Sequence, residues 1–275
     1  MIYDLHTHSN ASDGSLDPDE LLALAAQNNV DVLSITDHDT VSAYDRLGAR
    51  QQGTPLLIPG IELSTTWAGR GIHIVGLNID PASSTLCRGI VEQQAARLKR
   101  ARKIADRLTR LGIDNPFDAV CEMAGDAGIG RPHFARHLVA TGVTKDTATA
   151  FRKYLGTGKA GDVRSGWAEL SEVIRWIQAA GGEAVLAHPA KYKFTATKLR
   201  CLIKDFVNAG GTAIEVISGQ QDSATTKKLA DIATDFELAA STGSDFHHPE
   251  LSWSAPGRFP ALPDNIETVW TSWQS

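Results

Sequence analysis

Cysteine is scarce in this chain of 275 residues: Cys87, Cys121 and Cys201 are the only three. They are far apart, form no C-x-x-C pair and leave an odd number, which argues against both a disulfide framework and a thiolate metal site. They read as small packing residues. No apolar run approaches the roughly 20 residues needed to span a bilayer, so no membrane partner is implied. Positive charge is not in excess either, with 27 Lys and Arg against 32 Asp and Glu and a net charge of -5. That excludes a broad basic surface for tracking duplex nucleic acid, which works by neutralising many phosphates, but leaves a small anion as a partner. The start, MIYDLHTH, lacks the basic and apolar regions of a secretory signal, and the expected location is cytoplasmic. Internal repeats and low-complexity linkers are missing. So is a G-x-S-x-G nucleophile elbow, and "GTGKAGD" at 156–162 lacks the spacing of a phosphate loop and reads as a turn.

What is present is an alternation of short β-rich runs with helical patterns. The candidate strands are "IYDL", "VDVLSIT", "PLLIPGIEL", "GIHIVGLNI", "EAVLAHP", "TAIEVIS" and "ELAASTGSDF". Helical patterns lie between most of them: "DPDELLALAAQNN", "VSAYDRLGARQQ", "ELSEVIRWIQAAG", "ATKLRCLIKDFVNAG" and "SATTKKLADIATDF". The first of these starts with Asp17 as cap, Pro18 at the first helical position and Glu20 three residues after the cap. Seven strand and helix units predict an α/β fold with a parallel sheet closing like a barrel. From about residue 83 to 162 the rhythm breaks and no strand pattern appears. Residues 100–160 are therefore expected to form an α-helical cap domain, with 1–99 and 161–275 making the barrel domain.

Chemistry gathers at the ends of the candidate strands. His6 and His8 follow the first strand at i and i+2, the spacing that points two side chains to one face. His38 ends "SITDHD", His73 lies in "GIHIVGL", His188 ends "AVLAHP" and His247 sits in "GSDFHH". Asp13, Asp37, Glu62 and Asp245 share these locations. Barrel strands present their C-terminal ends at one face, so these residues should meet in one concavity. So many buried imidazoles and carboxylates need compensating charge, which bound cations would supply. Asp37 could orient a ligand imidazole or cap the next helix.

Six segments in order, "HTHSNASDG", "ITDHD", "GIELS", "GIHIVG", "AHP" and "SDFH", resemble the motifs of the PHP (polymerase and histidinol phosphatase) family over most of the chain. The likeness is greatest to its stand-alone phosphoesterases with a helical insertion, the nucleoside 3',5'-bisphosphate phosphatases and related 5'-3' oligonucleotide exonucleases. It implies a distorted (β/α)7 barrel and three divalent metal ions. One would take His6, His8, Glu62 and Asp245; a second would share Glu62 and add His73 and His188; a third would take Asp13, His38 and His247. Glu62 is the bridging keystone, and Glu62, His38, His247 and Asp13 are the catalytic set the resemblance implies. Asp13 stands where some members carry histidine, and the extra oxygen ligand favours manganese, iron or magnesium over zinc.

Two segments of the insertion could bind anions. "GIGRPHFARHL" puts Arg131 and His133 at a helix start, where free N–H groups and a guanidinium can hold a phosphate. "RLKRARK" spaces Lys99, Arg102 and Lys103 along one helix face. A phosphate held there, away from the metals, suits a small phosphorylated nucleotide, either a nucleoside 3',5'-bisphosphate or a short 5'-phosphorylated oligonucleotide. The rivals are a histidinol-phosphate-type phosphomonoesterase, which needs no second phosphate pocket, and a non-catalytic binding module of the same fold.

Overall fold

A computed structural model describes residues 1–48, 55–114, 116–125, 127–163, 166–249 and 254–274. In chain order the elements are β1 (Tyr3–Thr7), α1 (Pro18–Gln27), β2 (Val32–Ile35), α2 (Ser42–Leu47), β3 (Leu56–Leu57), β4 (Gly60–Trp67), β5 (Arg70–Leu77) and α3 (Ser84–Thr109). They continue with α4 (Pro116–Ala124), α5 (Arg131–Ala140), α6 (Thr147–Ala150), α7 (Leu170–Ala179), β6 (Glu183–Leu186), α8 (Ala196–Asn208), β7 (Ala213–Ser218), α9 (Ser223–Asp235) and β8 (Ala239–Gly243). The tail of the second predicted helix, from residue 49, lies outside the described residues. Helix α1 starts as its sequence predicts: the Asp17 carboxylate accepts from Asp19 N–H at 3.1 Å, and Glu20 accepts from Asp17 N–H at 3.0 Å.

The expected closed parallel barrel is not what forms. The strands make a three-stranded parallel sheet, β1-β2-β3, and a five-stranded sheet, β4-β5-β6-β7-β8, in which β5 runs antiparallel to both β4 and β6 while β6, β7 and β8 are parallel. The cause is local. Only Ala68 and Gly69 separate β4 from β5, with φ of 46° and 73°, the left-handed pair of a tight hairpin turn. Two residues cannot hold the crossover a parallel pair requires. "PLLIPGIEL" also divides at Pro59 into β3 and β4.

Two seams join the sheets through a few backbone contacts. Along one, Asp245 N–H donates to His6 O at 2.8 Å and His8 N–H to Phe246 O at 2.9 Å. Gly243 permits this approach, since a β-carbon there would collide with His6. Along the other, Asp39 N–H donates to Glu62 O at 2.9 Å and Glu62 N–H to Asp37 O at 3.2 Å. Motif residues from both sheets are thereby brought side by side.

Helix α3 enters two hydrophobic cores. Its first turns, at Leu86, pack with Trp176 and Ile177 of α7 on the five-stranded sheet. Its last turns, at Ala101, Ile104, Ala105 and Leu108, join Val120, Phe134, Leu138 and Leu155 in a separate core. Full burial of a side chain such as Phe134 or Leu138 stabilises by roughly 1.5–3 kcal/mol. Between these cores the buried stripe of α3 turns polar, at Gln93 and Arg97.

Candidate metal centre and substrate cleft

All nine residues that the motifs nominate as ligands converge on the seams. Glu62 is fully buried, at 0% exposure, and its two carboxylate oxygens face different partners. Oε1 lies 2.8 Å from His73 Nδ1 and 2.9 Å from His188 Nε2. Oε2 lies 2.8 Å from His38 Nδ1 and 3.4 Å from both His6 Nε2 and His8 Nε2. Asp245 Oδ1 sits 3.6 Å from His6 Nε2 and 3.4 Å from His8 Nε2. Asp13 reaches His247 Nε2 at 3.4 Å through Oδ1 and His38 Nε2 at 3.8 Å through Oδ2.

This donor set fits a group of cations. His8–Asp13–His38–His247, His6–His8–Asp245 and His38–Glu62–His73 each offer ligand atoms within 4.8 Å of one another. Despite their proximity, Glu62 Oε2 and His38 Nδ1 have no hydrogen-bond partner, and neither does His8 Nδ1 or His188 Nδ1. Buried donors and acceptors left unmatched are costly, and converging ligand atoms are what a metal ion satisfies. His188 and Asp245 also hold left-handed backbone, with φ of 30° and 51°, an unfavourable conformation maintained at the strand ends that aim them inward.

Electrostatics agree. Burial would raise Glu62, Asp13 and Asp245, yet neighbouring imidazoles, with Lys191 leading at Asp245, hold all three well below the usual carboxylate range. Burial, reinforced by His247, lowers His8 to about 3 and leaves it neutral, the ligand form. Without cations the negative charge is matched by protons: against burial, Asp13 raises His247 to about 9.

Glu215 is a functional candidate that the motifs did not point to. Buried at 1% exposure in β7, it accepts a hydrogen bond from His6 Nδ1 on one oxygen and from the His188 backbone N–H, at 2.5 Å, on the other. It fixes the tautomer that turns His6 Nε2 toward the cluster. Glu215→Gln can accept only one of these bonds well and sets an amide NH2 against the other donor. It should lower divalent-ion affinity by about 10–100-fold, the usual effect of losing a carboxylate behind a ligand histidine, as read by calorimetric titration. Unchanged affinity would remove Glu215 from the centre.

Asp37 takes neither role expected of it. It accepts from Ser9 N–H at 2.8 Å and from the Ser9 and Ser12 hydroxyls, both at 2.6 Å, and so pins the loop that carries His8 and Asp13. Asp39 was also missed. It sits fully buried beneath His38 and forms a two-bond ion pair with Arg97 of α3, from Nε at 3.0 Å and Nη2 at 2.5 Å.

The cluster forms the floor of a cleft of about 870 Å³. One wall carries Arg97 and Arg100 of α3, Arg131 of α5, Phe151 and Trp167. Arg131 thus lies where expected, but other candidates do not. His133 turns inward, where its Nδ1 accepts the Gly130 N–H at 3.1 Å and closes the start of α5. Arg102 stacks on Phe117, 4.5 Å from the ring centre, and Lys99 and Lys103 are exposed. The reason is helical phase: the buried stripe passes through Gln93, Arg97 and Ala101, so Arg97 and Arg100 face the cleft and the nominated basic face points away. Burial, then the charges of Arg131 and Arg97, lower Arg100 to about 9. Asp39 already pairs with Arg97, and Asp162 lies near Arg100 and Arg131; these last two are left as the guanidiniums able to meet a bound anion. This wall abuts the metal cluster, since a β-carbon on Gly130 would stand 3.5 Å from Arg97 Nη1 and 3.8 Å from Asp13 Oδ2.

No family model matches the chain. It is 42% identical to a 5'-3' exoribonuclease of Haemophilus influenzae, over 98% of this chain and 97% of that one. It is 41% identical to the 5'-3' exoribonuclease Rnm of Escherichia coli, over 100% and 94% respectively. A 3',5'-nucleoside bisphosphate phosphatase of Chromobacterium violaceum is 42% identical, over 97% and 94%. Among solved structures, a Chromobacterium violaceum protein described as an amidohydrolase with bound sulfate superposes with a TM-score of 0.91 at 39% identity, covering 100% and 96% of the two chains. A Bifidobacterium adolescentis protein described as a metal-dependent phosphoesterase does so with 0.79 at 25%, covering 99% and 94%. The histidine and carboxylate floor, the arginine wall and these full-length likenesses agree: the chain belongs to the PHP family of metal-dependent phosphoesterases.

Proposed function

We propose that the protein hydrolyses the 3'-phosphate of nucleoside 3',5'-bisphosphates, giving a nucleoside 5'-monophosphate and phosphate, and that it trims 5'-phosphorylated oligonucleotides at the same centre. The observation that carries this reading is the cleft's two chemically different parts. The floor is a histidine and carboxylate cluster suited to cations, and one wall presents Arg100 and Arg131 to an anion, with Arg97 beside them held by Asp39. A substrate with one phosphate to cleave and another to hold matches both. The relatives named bisphosphate phosphatase and exoribonuclease support the same assignment.

His6, His8, Asp13, His38, Glu62, His73, His188, Asp245 and His247 would hold three divalent ions. Manganese is favoured by the oxygen content of the set. Bound there, such ions supply a nucleophile at neutral pH and neutralise phosphoryl charge. The chain's own residues do the rest. Glu62 ties neighbouring positions together through its two oxygens, Glu215 orients His6, and Asp37 holds the loop bearing His8 and Asp13. Arg131 holds the 5'-phosphate. A histidinol-phosphate-type substrate would leave the arginine wall without a partner.

The test is Arg131→Ala, assayed with manganese on two substrates. Hydrogen bonds to charged groups contribute roughly 1.5–3 kcal/mol, so kcat/KM for the bisphosphate should fall by about one to two decades. Hydrolysis of a nucleoside 3'-monophosphate should barely change. Equal losses would place Arg131 at the reacting phosphoryl group, and no loss on either substrate would remove the case for a second phosphate.

A further inference from the structure

Besides the metal cluster and the arginine wall, the cleft is lined by Thr66, Arg70, Lys191, Tyr192 and Phe194. This part is built from the β4–β5 turn and the segment following His188. Tyr192 and Phe194 line it and begin a run of touching rings that continues to Trp67 beside the cleft. Tyr192 packs on His188 at 5.4 Å between centroids, Phe194 on Tyr192 at 5.7 Å and Trp67 on Phe194 at 5.8 Å. Cations stand over this run: Arg70 lies 5.9 Å from the Phe194 centroid, and Lys198 lies 4.8 Å from Phe194 and 5.9 Å from Trp67. Among the described residues neither Arg70 nor Lys198 has a carboxylate partner, and the nearby Asp205 accepts the Trp67 indole N–H at 2.8 Å. Arg70 is exposed at the turn. It is flanked by Gly69 and Gly71, around which there is open space, so backbone as well as guanidinium is accessible.

Rings that stay next to unpaired cations, in a groove continuous with a phosphoesterase centre, match the chemistry of a single-stranded nucleic acid. Its bases pack on aromatic faces and edges while its phosphates seek positive charge. Polarity follows from the reading given under Proposed function, on which this inference rests. If the 5'-phosphate of the first nucleotide is held at Arg131 and the first internucleotide phosphate lies at the metals, the rest of the strand continues along a part of the cleft other than the Arg131 wall, and Arg70 and Phe194 line such a part. We propose that Arg70, Lys198, Phe194 and Trp67 form the track for the 3' continuation of a single-stranded, 5'-phosphorylated RNA, a subsite that a mononucleotide substrate does not use. The narrow strip, on a chain of net charge -5, suits one flexible strand and not a duplex.

The test compares the wild type with the Arg70→Ala/Lys198→Ala double variant, whose changes lie at exposed or half-buried positions, and with Phe194→Ala. The substrates are a nucleoside 3',5'-bisphosphate and a 5'-phosphorylated oligoribonucleotide of about eight nucleotides, within the usual span of single-strand sites. For each variant, kcat/KM on the oligonucleotide should fall about ten-fold while the bisphosphate changes by less than about two-fold. The salt dependence of oligonucleotide KM should also flatten in the double variant, by roughly 0.7 in log–log slope for each cation lost. Equal loss on both substrates, no loss on the oligonucleotide, or a wild type inert toward the oligonucleotide would overturn the track. A wild type that degrades the oligonucleotide with these variant effects, yet leaves the bisphosphate intact, would support the track and sink the bisphosphate assignment.

Discussion

Glu62→Gln should leave the fold intact and lower hydrolysis by about 10²–10³-fold, the loss that follows removal of a preorganised electrostatic group. The side chain is fully buried and the amide is nearly isosteric, so packing around β4 is preserved. What changes is charge and valence. One Glu62 oxygen serves His73 and His188, and the other faces His38, His6 and His8, so a neutral amide weakens more than one ligand group at once. It also sets an NH2 where an acceptor stood. Metal content, thermal unfolding and steady-state rates measured together check this. A variant with full metal content and near-normal turnover would show that the carboxylate does not bridge.

Arg97→Met is expected to cost stability more than any change in the cleft outside the cluster. Arg97 is 5% exposed, and its guanidinium is the main force holding the buried Asp39 below the usual carboxylate range against burial. Removing one partner of a buried ion pair leaves an uncompensated charge and costs about 3–5 kcal/mol. Denaturant unfolding of the single variant should show that loss. Arg97→Met combined with Asp39→Asn should regain most of it. Asparagine tolerates the left-handed backbone at this position, where φ is 53°, and can still accept from Ser64 N–H, which is 2.7 Å from the Asp39 carboxylate. A double variant no more stable than the single would place the loss in packing of the arginine stem instead.

The histidine and carboxylate cluster was legible in the sequence because most of its members lie at or just after short apolar runs, where a fold of this class collects polar groups, although Glu62 and His73 sit inside β4 and β5. The arginine wall was legible only in part. Arg131 announces itself at a helix start, whereas Arg97 and Arg100 are recognisable only once α3 is given its phase from Leu86, Gln93, Ala101 and Leu108. A local run of positive charge drew attention to the solvent side instead. Glu215 left a sign in "AIEVIS", since a carboxylate amid buried apolar residues must have a partner, but the partner comes from β1 and cannot be named without the fold. The sheet order was misjudged for a simpler reason. "TTWAGRGI" leaves two residues between strands, too few for a parallel connection, and counting the loop would have excluded uniform parallel closure.

Because α3 runs unbroken for 26 residues from the sheet's core into the cap's, the arginine wall and the metal floor are set apart by a rod of about 1.5 Å per residue and about 100° of turn. Adding a single residue ahead of Gln93 would swing Arg97 and Arg100 out of register with the cleft. Adding seven would nearly restore their direction but push the cap outward by about 10 Å. Whether Arg97 and Arg100 face the cleft is therefore a quantised property of one helix. A longer or shorter α3 would have to change in whole turns for these two arginines to keep facing the cleft.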